Sequence, residues 1–156
     1  MAPPLLFDIS GLDLTKVLFA VDEIERINPH RPPMRMLDGI VHFDPETGTM
    51  AAFKDVRDDE FWVPGHIPGR PIFPGVLMIE AAAQLASFAM IKAYGYKFVG
   101  FAAVDGVKFR RQVVPGDRLL VLGKVSELRR RRAVCQMQGL VDGQLCFEAA
   151  VTGMPL

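Results

Sequence analysis

The chain has 156 residues, half of them apolar and 23% charged, which suits one globular domain with one sizeable core. Lysine plus arginine and aspartate plus glutamate number 18 each, so no global charge recommends nucleic acid or an anionic membrane surface as a partner.

The N-terminal Met1-Ala-Pro-Pro-Leu-Leu-Phe has no basic region followed by a long apolar core, and it does not read as a secretory signal. The first ten residues read as a loosely held arm. Val21 to Asn28 carries apolar residues at Val21, Ile24 and Ile27, a helical spacing that Pro29 stops. Met34 to Phe43 reads as a strand, Asp44 to Gly48 as a turn and Thr49 to Val56 as a second strand. From Asp58 to Pro74 runs a loop with prolines at 64, 68, 71 and 74, which restrict its unfolded freedom and let it hold a side chain without a regular ladder.

Gly75 to Tyr94 follows as a helix that is apolar on almost every side, as expected of one wrapped by other structure. Its longest apolar stretch, Val76 to Ile91, falls short of the ~20 residues of a membrane span and contains Glu80 and Gln84. The texture then turns to β: Lys97 to Val114, a Pro115-Gly116-Asp117 turn, Arg118 to Leu128, Ala133 to Val141 and Gln144 to Thr152. One long apolar helix followed by antiparallel strands indicates an α+β domain with a sheet wrapped around the helix. Asp142-Gly143 is a two-residue hairpin turn, which sets Cys135 opposite Ala150 and Cys146 opposite Gly139. The two sulfurs then stand roughly 13 Å apart at ~3.4 Å per residue, too far for a disulfide. Two reduced thiols are expected, and with them a cytoplasmic protein.

Three features carry chemistry. Glu80 lies in an oily helix, where burial raises a carboxyl pKa and makes a proton donor. Gln84, one turn on, can hydrogen-bond it. A structural glutamate satisfied by backbone or water is the alternative. His66 sits in the proline-rich loop, and a neutral imidazole accepts a proton near pH 7; alone it would read as a polar surface residue. Gly75 opens the helix, so its N–H has no intrahelical partner and a ligand can approach it closely, unless Pro74-Gly75 merely starts the helix. Base, acid and carbonyl-polarising donor together suit β-elimination of water from a 3-hydroxyacyl thioester.

The string Gly65-His66-Ile67-Pro68-Gly69-Arg70-Pro71-Ile72-Phe73-Pro74-Gly75-Val76-Leu77, continued by Glu80-Ala-Ala-Ala-Gln84, resembles the active-site segment of the 3-hydroxyacyl-[acyl-carrier-protein] dehydratases of bacterial fatty acid synthesis. The similarity extends to Asn28-Pro-His-Arg31, Asp38, Val107-Lys-Phe-Arg110 and Val113-Val-Pro-Gly-Asp117, and covers roughly residues 24 to 152 of a single domain; residues 1–20 match poorly. The resemblance implies a hot-dog fold and a homodimer with active sites at the subunit interface, His from one chain and Glu from the other. It also implies hexamers built from dimers, and no metal or organic cofactor. On the matching positions His66 is the base, Glu80 the acid and the Gly75 N–H the carbonyl donor. The related isomerising dehydratases carry Asp at the position of Glu80, which favours the simple dehydratase. Ile67 stands where family members usually have Phe, Gly39 where a basic residue often follows the aspartate, and Phe61-Trp62-Val63-Pro64 also departs from the usual pattern.

Phe61, Trp62, Ile67 and Phe73 are therefore candidates for the substrate tunnel or its mouth. Lys108, Arg110 and Arg111, inside a family-matching segment, are candidates for contact with the carrier protein, with Lys108 and Arg110 on one face. Arg129 to Arg132 reads as a solvated turn in preference to a docking patch. His30 and His42 lack metal-ligand spacing with His66 and read as structural. An acyl thioesterase on the same fold and a non-catalytic acyl-carrier or lipid-binding module are the alternative functions; the chain has no Gly-x-Ser-x-Gly elbow.

Overall fold

The computed structural model describes residues 3–156; what was expected of Met1 and Ala2 lies outside the described residues. In chain order the elements are α1 (Val21–Ile27), β1 (Gly39–Asp44), β2 (Thr49–Asp55), α2 (Gly75–Tyr94), β3 (Val99–Phe109), β4 (Arg118–Arg129), β5 (Arg132–Val141) and β6 (Gln144–Pro155). The strands form one antiparallel sheet in the order β1-β2-β4-β5-β6-β3. The sheet curls around α2, whose Met78, Ala81, Ala82, Leu85, Phe88 and Met90 are buried against it. This is the hot-dog arrangement. The helix is long and apolar enough to span a membrane, but here it is packed inside the protein.

Helix α2 keeps the expected bounds for local reasons. Pro74 at the N-cap has extended ψ and lacks an N–H, and Gly95 ends the helix in the left-handed region (φ 71°) with its N–H bonded to Met90 O. Strand β1 is shorter than expected. Met34 and Met36 pair with a side chain in place of a ladder: Gln84 accepts from Met36 N–H (2.9 Å) and donates to Met34 O (2.7 Å), and the bonds to β2 begin with Asp38 N–H to Phe53 O (2.9 Å).

The β5–β6 hairpin turns at Asp142 (φ 50°) and Gly143 (φ 73°) as the dipeptide indicates. Its register differs from the expected one. A bulge between Gly139 and Leu140 leaves Cys146 unpaired, so that Cys135 faces Val151 and Gly139 faces Phe147. Both cysteines are free and buried.

The N-terminal arm is not loose. The outer face of the sheet exposes a second apolar set, Val41, Ala51, Phe53, Leu122 and Leu140, and Leu6, Phe7, Ile9 and Leu14 cover it. Gln138 clasps the arm by accepting from Leu6 N–H (3.0 Å) and donating to Pro4 O (2.9 Å). Apolar residues on both faces of β2 and β4 would otherwise meet water, which is what ties the arm down.

Candidate active site

His66 lies on the loop between β2 and α2. The loop is fastened at its start by Gly116 N–H to Val56 O (2.9 Å) and at its end by Phe73 N–H to Val113 O (2.7 Å). Within it, Trp62 O accepts from the N–H groups of Gly65 (3.2 Å) and His66 (2.8 Å). The imidazole Nδ1 is 2.8 Å from Ile72 O. A carbonyl oxygen only accepts, so Nδ1 carries a proton, and in the neutral ring the lone pair is on Nε2, the form a general base needs.

His66 lines a cavity of about 520 Å³ together with Phe73, Gly75 and the segment from Phe109 to Gln112. The first intrahelical bonds of α2 run from Leu77 and Met78 N–H to Pro74 O, so the N–H groups of Gly75 and Val76 precede them. A Cβ at Gly75 would lie 2.7 Å from the Phe109 ring, so only glycine leaves this helix start open.

Glu80 faces elsewhere. It lines a second, narrow cavity of about 50 Å³ with His30, Ser87, Gly100 and Phe101. The burial expected of its carboxyl is partial in one chain, where the side chain is 25% exposed. Val76, Glu80, Ala83, Ser87 and Met90 form one helical stripe; Val76, Glu80 and Ala83 keep part of their surface in water, while Ser87 and Met90 are covered by the sheet. Gln84 Nε2 donates to Glu80 Oε1 (2.8 Å), the bond its spacing indicates. His30, read as structural from its spacing, has Nε2 3.6 Å from the same oxygen, while its buried Nδ1 has no hydrogen-bond partner among the described residues. The segment that brings it there is anchored by Asn28 Nδ2 donating to Gln84 O (2.9 Å). The only sequence signal for His30 was its place in the family-matching Asn28-Pro-His-Arg31.

The remaining candidates separate. Phe61 and Ile67 are about half exposed on the loop, and Phe73 is buried yet reaches the first cavity. Trp62 is a core residue, 5% exposed, and lines neither cavity, a correction to its place among the tunnel candidates: its ring is held beneath the loop against Phe73 (centroids 5.5 Å). Lys108 and Arg110 share Glu148 as a partner (3.8 and 2.9 Å), on one face as alternation indicates. Arg111 donates to Val141 O and Gln144 Oε1, and Arg110 and Arg111 rim the His66 cavity. In the arginine run, Arg129 and Arg132 both pair with Glu127 at the β4–β5 turn (2.9 and 2.6 Å). Among the described residues no cluster of three or more His, Cys, Asp or Glu side chains could hold a metal ion.

A family model described as a FabA-like domain matches residues 28–150. The chain belongs to that family. It is similar to the 3-hydroxyacyl-[acyl-carrier-protein] dehydratase FabZ of Anaeromyxobacter sp. (strain Fw109-5), 39% identical over 86% of this chain and 88% of that one. It is 38% identical to the protein of the same description from Proteus mirabilis, over 83% of this chain and 88% of that one. Among solved structures, the dehydratase heterocomplex ApeI:P from Xenorhabdus doucetiae matches with a TM-score of 0.72 at 14% identity, covering 85% of this chain and 90% of that one. A hypothetical thioesterase from Streptococcus pneumoniae, solved with coenzyme A, matches with a TM-score of 0.61 at 13% identity, over 75% and 84% of the two chains. These structures share the fold; the family's sequence relatives are what separate dehydratase from thioesterase.

Proposed function

We propose that this chain dehydrates 3-hydroxyacyl thioesters borne on acyl carrier protein to trans-2-enoyl thioesters in fatty acid biosynthesis, as a hydro-lyase of the FabZ kind. The observation that carries the chemistry is the His66 ring, whose Nδ1 is occupied by Ile72 O and whose Nε2 is left for the cavity. Nε2 removes a proton from C2 of the substrate. The Gly75 N–H, at the positive end of the α2 dipole, takes the negative charge that develops on the thioester oxygen. A Glu80 carboxyl gives its proton to the C3 hydroxyl, which leaves as water, and the C2–C3 double bond forms. Water then carries a proton from the imidazolium back to the carboxylate.

Within one chain His66 and Glu80 open into different cavities, so the reaction needs two chains. The geometry of β3 supports this reading. The edge at β1 is capped by Phe19, which exchanges backbone hydrogen bonds with Ile40. The other edge, β3, is open, with Phe101 and Phe109 each about half exposed. Antiparallel pairing of β3 with a second copy about Asp105 sets Phe109, at the His66 cavity, opposite the partner's Phe101, at the Glu80 cavity. Each His66 then meets Glu80 of the partner subunit, and Glu80 loses its remaining contact with water. Arg110 and Arg111 at the rim, with Lys108 beside them, offer positive charge to an acidic carrier. Reduced, buried thiols agree with a cytoplasmic enzyme.

The test is turnover of 3-hydroxyacyl thioesters of several chain lengths, read by enoyl absorbance. His66→Ala and Glu80→Gln are each expected to lose about 100- to 10,000-fold in kcat while remaining folded, the usual share of a general base or acid. Wild-type turnover in either variant removes its assigned role. Free thiol without enoyl product would identify a thioesterase, and binding without turnover a lipid-binding module.

A further inference from the structure

Lys54, on β2, and Glu60, at the start of the His66 loop, form an ion pair of 3.0 Å with side chains 5% and 6% exposed. Both carboxylate oxygens of Glu60 have further donors: Oε1 accepts from Arg57 N–H (2.9 Å) and Oε2 from the Trp62 indole N–H (3.1 Å). The Lys54 ammonium also stands 5.7 Å from the centre of the Phe73 ring. A buried pair of this kind is a poor source of stability, because desolvating two charges offsets much of their attraction and apolar residues of the same volume hold a fold as well. What the pair does specify is direction. Trp62, oriented by its bond to Glu60, packs against Phe73 and meets His66 edge-on (centroids 6.5 Å, interplanar angle 77°). Its carbonyl accepts the N–H of His66 itself. None of Lys54, Glu60 and Trp62 lines the cavity, so none touches substrate.

We propose that the buried Lys54–Glu60 pair is a positioning element for the His66 imidazole, acting through Trp62. The proposal rests on the reading of His66 as the base. The pair sets the ring from one side as Ile72 O sets it from the other, so that Nε2 is aimed before substrate arrives. Backbone bonds fasten the loop at its two ends, and the Lys54–Glu60–Trp62 chain ties its middle, where the base sits, to the sheet; an error of about 1 Å at a reacting group can cost on the order of 100-fold in rate.

The experiment uses the full chain and a 3-hydroxyacyl-CoA as probe. One variant is Lys54→Met/Glu60→Met, which removes both charges and leaves neither unpaired. The other is Trp62→Phe, which keeps a ring and drops the indole N–H. Expected for both is a kcat lowered about 10- to 100-fold with KM within about threefold, the signature of a misaimed base. The nitrogen signals of His66 should change from one Nδ1–H tautomer to an average of two, whatever the melting temperature of the double variant, which also loses the acceptor for Arg57 N–H and the Trp62 indole N–H. A wild-type kcat in either variant overturns the proposal, as does a loss of kcat accompanied by a falling melting temperature and an unchanged His66 tautomer. If the double variant does not fold, Trp62→Phe decides by the same readings. His66→Ala is run beside them: if it retains turnover, the base assignment has failed; if it is inactive while the other two are wild-type, only the positioning role has failed.

Discussion

The hydrogen bond that fixes the His66 ring also constrains its neighbour. With Nδ1 held by Ile72 O, the chain must double back within six residues, and Ile67 absorbs the turn at φ 59°. A β-branched side chain in the left-handed region is strained, at a cost of about 1–3 kcal/mol that the surrounding loop must offset. Asn tolerates this region far better. Ile67→Asn is therefore expected to stabilise the protein by about 1 kcal/mol, raising Tm by roughly 2–4 °C at fixed protein concentration; an unchanged or lower Tm in a melting scan would show that the strain is relieved elsewhere. His42 makes a second prediction at this scale. Burial on the outer face, beneath the Phe7 ring (centroids 5.4 Å), pushes its pKa down from the ordinary 6.5, against a smaller upward pull from Asp44. The unfolded chain then binds this proton first. Stability is intact above about pH 7 and falls as the pH drops through 6.5 toward the folded value. His42 Nε2 lies 2.8 Å from Thr49 Oγ1; His42→Gln, which can keep that bond, should flatten denaturant-measured stability between pH 7 and 5. The lowered carboxyls of Asp44, Asp59 and Glu127 act only below about pH 4.5 and leave that window clear. An equal slope in wild type and variant would assign the pH response to other groups.

At the level of elements, helices and turns were legible in the sequence because their causes are local. Pro74 and Gly95 bound α2 where Gly75 to Tyr94 was expected, and Asp142-Gly143 turns the hairpin. What escaped was set at a distance. Met34 to Met36 has the composition of a strand, yet the partner of its backbone is Gln84 on the helix. His30 was invisible as a neighbour of Glu80 because fifty positions separate them. The Lys54–Glu60 pair was missed because nothing in the spacing of a strand lysine and a loop glutamate says they will be buried together. The Cys146 bulge likewise needed the packing. Gly139 sits opposite Phe147, and the fully buried Phe147 ring lies where a side chain at 139 would go, with Leu119 behind it. The bulge follows directly after, and the ring cannot swing into solvent. Gly139→Ala is accordingly expected to cost about 1–3 kcal/mol by overpacking, measured by chemical denaturation. A neutral result would mean that β5 and β6 can separate there without loss, and that the bulge has some other cause.

For the whole molecule, the question is why a chain with a complete core should open His66 and Glu80 into different cavities. The sheet answers it through its edges. One is closed by Phe19, and the N-terminal arm covers the outer face. β3 and the first turns of α2, from Val76 to Ala83, are left with apolar surface facing water, Val76 being 71% exposed. An open edge flanked by exposed phenylalanines is an aggregation hazard unless a partner takes it. Closing it with a second copy is expected to join each His66 cavity to a foreign Glu80 cavity, which gives a test that chain-by-chain mutagenesis cannot. His66→Ala and Glu80→Gln homodimers should each be inactive. Mixed one to one and allowed to exchange subunits, half of the dimers become heterodimers, and each heterodimer has one site with both wild-type residues and one with neither. Activity should therefore return to about a quarter of the wild-type level, rising with the extent of exchange. If the two residues of one chain served the same site, every heterodimer would be as dead as its parents. A mixture that stays inactive while mass spectrometry reports full exchange would refute the shared site, and with it the mechanism that places acid and base on opposite sides of the substrate.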